Sequence, residues 1–191
     1  MLRYAITSGS YNRGDAARWA TDGIDFIQLR EKVMNTAGLI DLARSILEEI
    51  ASVPGSRTRL LINGRADVAV AAGADGVHLT SHPNELTPEE VRRVFAHSTL
   101  REPVISVSCH RFDEVKQAHD SGANLILFGP VFEKRIANQH ITDGSGLKAL
   151  EAACLAASTT PVLALGGITL ENTTACLSAG AAGIAAIRLF A

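Results

Sequence analysis

Ala72-Gly73-Ala74-Asp75-Gly76-Val77-His78-Leu79 is the stretch from which the fold can be read. An amphipathic run ends on a glycine, a small and an acidic residue follow, and a short apolar segment begins. Glycine just past a helix takes the left-handed conformation that closes the last turn, and a brief apolar segment after it reads as a buried strand. The same punctuation recurs at Gly23-Ile24-Asp25 before Phe26–Leu29, at Gly122-Ala123-Asn124 before Leu125–Phe128, and at Gly180-Ala181-Ala182 before Gly183–Ile187. Four more apolar runs, Tyr4–Thr7, Leu60–Asn63, Val104–Ser108 and Val162–Leu165, lie between these. Interleaved, they make eight strands with helical patterns in almost every gap. Thr36–Val53 is the longest of those helices, and Thr87-Pro88-Glu89-Glu90 reads as an N-cap, a proline at the first helical position and an acidic first turn. Such alternation predicts parallel strands closed into a single α/β domain over residues 1–191, a (β/α)8 or TIM barrel. A doubly wound open sheet is the alternative if some of the runs are not strands.

The bulk properties narrow the function. The 191 residues are 47% apolar and 20% charged, ordinary values for a globular protein. A net charge of -2 supplies no basic field for nucleic acid or an anionic membrane, and 5% aromatic content offers little for base stacking. Cys109, Cys154 and Cys176 are odd in number and far apart, so neither a disulfide framework nor a zinc knuckle is indicated. No leader and no membrane-length apolar run stands out, and a cytoplasmic location is the expectation. The chain stops at Ala191, directly after the last expected strand, so the barrel is pared down and lacks a full final helix. The outer face of its last strands is then expected to be bare apolar surface, covered in a homodimer.

In a barrel, ligands meet the C-terminal strand ends and the loops after them. The run Phe26–Lys32 places Ile27 and Leu29 outward and Gln28, Arg30 and Lys32 on the other face. Two cations and an amide donor there form an anion receptor. Val162–Leu165 runs into Gly166-Gly167-Ile168-Thr169, where free backbone N–H groups and a helix start suit a phosphate, with Arg188 in reach after the last strand. Asn63 and Ser108 end their strands facing the mouth, while His78 is expected as a hydrogen-bonded residue of the barrel core. Cys109 and His110 are sequence neighbours on opposite faces, so they form no nucleophile–base pair. His82, His110 and His140 are the candidate acid–base groups, and the long polar loop Glu133–Gly146 is the expected lid. No HExxH, G-x-S-x-G or P-loop pattern occurs.

Taken in order, FIQLREK (26–32), LLINGRADVAVAAGADGVHL (60–79), SVSCHRFDEVKQAHDSGANLILFGPVFE (106–133) and PVLALGGITLENTTACLSAGAAGIAAI (161–187) resemble the thiamin phosphate synthase/TenI superfamily. The resemblance implies a (β/α)8 barrel. For the synthases it implies joining of a pyrimidine diphosphate to a thiazole phosphate, with release of diphosphate and use of magnesium. It assigns Gln28, Arg30, Lys32 and Asn63 to the diphosphate, adds Ser108 beside them, and gives Gly166 and Gly167 to the thiazole phosphate.

The departures concern the metal. The two aspartates of the synthases fall on Gly64 and Pro83 here, and the threonines of their lid segment are replaced by Glu133–Ala137. Asn63-Gly64-Arg65 and Val131-Phe132-Glu133 are instead similar to the TenI branch, although that branch's acid–base histidine falls on Pro130. The leading expectation is therefore a TenI-like thiazole tautomerase that binds a phosphorylated thiazole without metal or cofactor. The alternatives are a synthase with an altered magnesium site, which also takes the phosphorylated pyrimidine, and a non-catalytic phosphate-ligand protein.

Overall fold

Eight parallel strands close on themselves, with helices in the connections. The computed structural model describes residues 1–9, 11–82, 84–136 and 139–190. In chain order the elements are β1 (Leu2–Ile6), α1 (Asp15–Thr21), β2 (Phe26–Leu29), α2 (Thr36–Ala51), β3 (Arg59–Asn63), α3 (Ala66–Ala72), β4 (Gly76–Leu79), α4 (Pro88–Ala96), β5 (Val104–Cys109), α5 (Phe112–Asp120) and β6 (Leu125–Phe128). A two-stranded antiparallel hairpin follows, β7 (Lys134–Ile136) and β8 (Gln139–Thr142). Then come α6 (Leu147–Ala156), β9 (Val162–Leu165), α7 (Leu170–Ser178) and β10 (Gly183–Ala186). The barrel order is β1-β10-β9-β6-β5-β4-β3-β2, and the seam sets Leu2 opposite Gly183 and Ala5 opposite Ala186. This is the expected (β/α)8 architecture.

The punctuating glycines behave as the pattern requires. Gly23, Gly73, Gly122 and Gly180 have φ of 73°, 82°, 80° and 95°. Two other glycines are needed for space: a Cβ at Gly76 would lie 1.9 Å from the Val104 carbonyl oxygen, and one at Gly183 2.0 Å from that of Leu2. Only glycine lets those strands approach their neighbours. Thr87 and Glu90 form the reciprocal capping pair at the start of α4, with Pro88 as its first residue.

Alternation along the strands divides two apolar layers. Ile27, Leu29, Leu60 and Ile62 face outward onto Leu39, Ala43 and Ile46 of α2, all buried. Tyr4, Ile6, Leu61, Leu125, Leu127 and Leu163 fill the interior. Each Leu or Ile so buried is worth about 1.5–3 kcal/mol relative to exposure. The interior is not wholly apolar: Thr7, Gln28, His78 and Ser106 are buried too. Gln28, His78 and Ser106 stand on the inward face of their strands and Thr7 lies just past the end of β1; together they become the floor of the mouth.

Three expectations are corrected. The first strand begins at Leu2 and ends at Ile6: Leu2 and Arg3 pair with Gly183 and Ile184 of β10, and Thr7, whose N–H still donates to the Gln28 carbonyl at 3.0 Å, lies just past its end. Residues 133–146 carry the β7–β8 hairpin, whose strands are too short and charged to stand out as an apolar run. The outer face of β10 is not bare. Ile184 and Ala186 are 2% and 7% exposed, and residues 187–190 turn across α1, where Arg18 Nη1 and Trp19 Nε1 both donate to the Phe190 carbonyl at 3.0 and 2.6 Å. No second subunit is needed to cover Ile184 and Ala186. Among the described residues no helix is long and apolar enough to cross a membrane.

Candidate functional site

The C-terminal ends of β1–β5 carry a layer of polar side chains on top of the apolar interior. Gln28 is only 2% exposed, and its Nε2 donates to Asn63 Oδ1 at 2.7 Å across the β2–β3 pair. Its other amide atom, Oε1, is buried and has no partner. A buried carbonyl oxygen without a donor is costly, so this atom is suited to a ligand N–H or a bound cation. Arg30 follows two residues on, half-buried; its backbone N–H donates to the buried hydroxyl of Thr7 at 2.9 Å. Glu31 accepts from the Gly9 N–H at 2.8 Å and ties the loop after β1 to the loop after β2. Lys32 is exposed at the rim.

A second cluster spans β1, β4 and β5. His78 Nδ1 lies 2.8 Å from Ser106 Oγ, and its Nε2 lies 2.9 Å from Ser108 Oγ. The Tyr4 hydroxyl is 3.0 Å from Ser106 Oγ, which makes a continuous line Tyr4–Ser106–His78–Ser108. Register explains it: Asn63 sits opposite His78, and His78 opposite Ser106, so alternate residues of three adjacent strands share one face. Burial pushes the imidazole down to about 3, with the charge of Arg30 adding to the effect, so His78 is neutral throughout the physiological range. Burial likewise raises the Tyr4 phenol far above its ordinary value.

Across the barrel, β9 ends at the glycine pair. Gly166 and Gly167 have φ of 92° and 64°. A Cβ on Gly166 would stand 2.6 Å from the Pro130 Cα, and one on Gly167 2.7 Å from the Phe132 Cβ. The turn is therefore pressed against the segment after β6, which also bonds to it through Phe132 N–H to the Gly166 carbonyl at 3.1 Å. Asn172 Nδ2 donates to the Gly167 carbonyl at 2.9 Å, and Thr169 caps α7. Among the described residues the N–H groups of Gly167 and Ile168 have no acceptor. A rigid turn with free N–H groups at a helix start is an anion cradle. Arg188 is exposed just after β10 and makes no bond among the described residues.

Among the described residues, the candidate acid–base histidines His82 and His110 are not gathered. His82 is exposed in the loop after β4, with its ring accepting from the Asn84 N–H at 3.3 Å. His110 lies after β5; its N–H donates to Glu114 at 2.6 Å and its ring bonds to the Gly129 carbonyl. The side chain of His140 and all of Pro83 lie outside the described residues. His78 is the histidine built into the mouth, and strand parity was the signal that it points inward. Glu85 is the other addition. It reaches back from the loop after β4 to overhang Gly64, with Oε2 3.4 Å from the place a Cβ there would occupy. Beside it a cavity of about 260 Å³ runs from Ser108, Thr80 and Leu86 to Gln117 of α5 and Ser121 just after it.

Known proteins match this chain along almost its whole length. Residues 4–190 match the family of thiamine monophosphate synthases. The thiamine-phosphate synthase of Methanoculleus marisnigri is 36% identical over 189 residues, covering 96% of this chain and 84% of that one. A putative thiamine-phosphate synthase of Geobacter sulfurreducens is 40% identical over 165 residues, covering 86% and 72%. Among solved structures, thiamine phosphate pyrophosphorylase from Pyrococcus furiosus superposes with a TM-score of 0.79 at 26% identity, covering 97% and 85%.

Proposed function

This chain belongs to the thiamine monophosphate synthase family, and from that premise we propose that it joins a pyrimidine diphosphate to a thiazole phosphate at the mouth described above. The observation that carries the reading is the two-sided mouth. One side holds buried polar groups beside Arg30, and the other holds the Gly166–Ile168 turn with free N–H groups. A tautomerase needs one phosphate cradle; a transferase with two phosphorylated substrates needs two. The relatives named as synthases favour the transferase over the tautomerase expected from the sequence. Gly64, Pro83, the 133–137 segment and the Val131–Glu133 stretch are the sequence features that favour the isomerase.

The reaction breaks the bond between the pyrimidine methylene carbon and the diphosphate oxygen, and the electron pair leaves with that oxygen. The thiazole nitrogen lone pair forms the new carbon–nitrogen bond, and no proton is taken up or released at either atom. Residues at the mouth therefore act by holding and by stabilising charge. Arg30 and Lys32 receive the diphosphate. Gln28 Oε1, kept unpartnered by the Asn63 bond, accepts an N–H from the pyrimidine. In the buried line Tyr4 donates to Ser106, Ser106 to His78 Nδ1, and His78 Nε2–H to Ser108. The Ser108 hydroxyl is then free to donate to the departing diphosphate. The N–H groups of Gly167 and Ile168 hold the thiazole phosphate, with Arg188 as a further cation at the rim.

Magnesium is implied by the resemblance, and neither Gly64 nor Pro83 has a side-chain oxygen to ligate it. Among the described residues no group of three His, Cys, Asp or Glu side chains gathers as a cage. Magnesium does not require one, since one carboxylate together with substrate phosphate oxygens suffices, and Glu85 offers a carboxylate above Gly64. When bound there, the ion would take up part of the diphosphate charge. The test is to supply pyrimidine diphosphate and thiazole phosphate with magnesium, and separately the thiazole carboxylate phosphate tautomer. Thiamin phosphate formation is the expected result. Conversion of the tautomer with no condensation product would overturn the reading.

A further inference from the structure

We infer that Tyr4 and Ser106 are positioning residues for Ser108: from the closed interior of the barrel they set the direction of the Tyr4–Ser106–His78–Ser108 line, so that Ser108 meets the mouth only as a donor. The inference rests on the synthase reading above, in which a donor is needed where the diphosphate departs. Both residues are 0% exposed and reach the mouth only through the His78 ring. Tyr4 belongs to β1, which is not a neighbour of β4 or β5 in the barrel, so its hydroxyl reaches Ser106 across the interior.

A chain of hydrogen bonds through a neutral imidazole runs in one of two directions, because one ring nitrogen donates and the other accepts. Suppose it ran inward. Ser108 would donate to His78 Nε2, the Nδ1–H to Ser106, and Ser106 to Tyr4. The Tyr4 proton would then have no acceptor. Among the described residues its hydroxyl meets only Ser106 Oγ at 3.0 Å and His78 Nδ1 at 3.5 Å, and a protonated Nδ1 accepts nothing. A buried hydroxyl proton left unpaired is costly. In the outward direction each proton is placed. Tyr4 donates to Ser106, Ser106 to Nδ1 at 2.8 Å, and Nε2–H to Ser108 at 2.9 Å, and the Ser108 proton alone is left for the mouth.

The group at the buried end decides the chemistry. A carboxylate behind the ring would hold the proton on Nδ1 and leave Nε2 to accept from the serine, which is how a histidine activates a serine nucleophile. Among the described residues no carboxylate bonds to the side chains of Tyr4, Ser106 or His78. A phenol in that place inverts the line. His78 then takes no proton from Ser108, and Ser108 is neither nucleophile nor base. Its O–H is held toward an oxyanion, with no reorganisation needed when charge develops there.

Nitrogen-15 NMR of the full wild-type chain reads the direction without turnover, the His78 signals being identified by their loss in His78→Gln. A protonated Nε2 and a bare Nδ1 are expected; a protonated Nδ1, or a mixture, would overturn the inference. Steady-state kinetics of thiamin phosphate formation read the positioning. Ser106→Ala is expected to lower kcat by on the order of 10- to 100-fold, with KM for both substrates little changed. Tyr4→Phe, which keeps the ring and its packing, is expected to lower kcat in the same way by a smaller factor. A kcat unchanged in both variants, each shown to be folded by circular dichroism, would also sink the inference. If Nε2 carries the proton and the wild type forms no thiamin phosphate, the direction of the line stands and the synthase reading fails. If thiamin phosphate forms and Nδ1 carries the proton, the reading stands and the inference fails.

Discussion

Replacing His78 with glutamine should flatten the acid side of the protein's stability curve. The imidazole titrates near 6.5 when free in the unfolded chain and is pushed down to about 3 in the folded one, first by burial and then by Arg30. Below pH 6.5 the unfolded chain therefore binds a proton that folded His78 refuses. The stability associated with the neutral ring is fully present above that pH and is lost progressively as the pH falls toward 3. At pH 5.0 the separation of the two values amounts to about 2 kcal/mol, and by pH 3 to about 4 kcal/mol. Glutamine can bond to Ser106 and Ser108 but takes no proton.

The assay is equilibrium urea unfolding of both proteins at pH 7.5 and pH 5.0, followed by far-ultraviolet circular dichroism. Glutamine will lower stability at both pH values, because it fills the ring's space poorly. What matters is the difference between the two pH values. Carboxylates contribute equally to both proteins, so the wild type should lose about 2 kcal/mol more than the variant on going to pH 5.0. Equal losses in the two proteins would refute the reasoning, since they would mean that His78 is hydrated or protonated in the folded state.

Other outcomes follow from the same geometry. Arg30→Ala should weaken inorganic diphosphate binding at least about tenfold while leaving thiazole phosphate affinity unchanged, as read by calorimetric titration. Gly166→Ala puts a Cβ 2.6 Å from the Pro130 Cα at a φ of 92°; it should cost more than about 1 kcal/mol in a thermal melt and weaken thiazole phosphate binding. Thr87→Ala removes the reciprocal cap of α4 and should cost about 1 kcal/mol, with no change in diphosphate affinity in EDTA.

How much of this could be read in the residue order depends on how local each feature is. The barrel could be read because each strand announces itself: a glycine at positive φ closes a helix, and a short apolar run follows. Gly166 and Gly167 could be read for the same reason, since the turn, its free N–H groups and the Thr169 cap lie within four consecutive residues. The β7–β8 hairpin was hidden because Lys134–Ile136 is three residues long and mostly charged. The cover over β10 was hidden because it depends on Trp19, far away in the chain, donating to the Phe190 carbonyl.

The groups that decide the chemistry depend on long-range register. Parity alone turns His78 inward, but its partners are Ser106 and Ser108, which closure of the barrel sets beside it. Chain order already sets His78 apart as a core residue, while His82 and His110 lie exposed in loops; the stacking of adjacent strands is what gives the buried ring its serine partners. Gly64 and Glu85 take this furthest. Read along the chain, Gly64 is a lost carboxylate and Glu85 is an ordinary loop residue. Seen in space they are neighbours, the Glu85 carboxylate lying above the end of β3 with Oε2 3.4 Å from where a Gly64 Cβ would stand. A missing family residue is therefore weak evidence for lost chemistry until the space it would have occupied has been searched for a replacement.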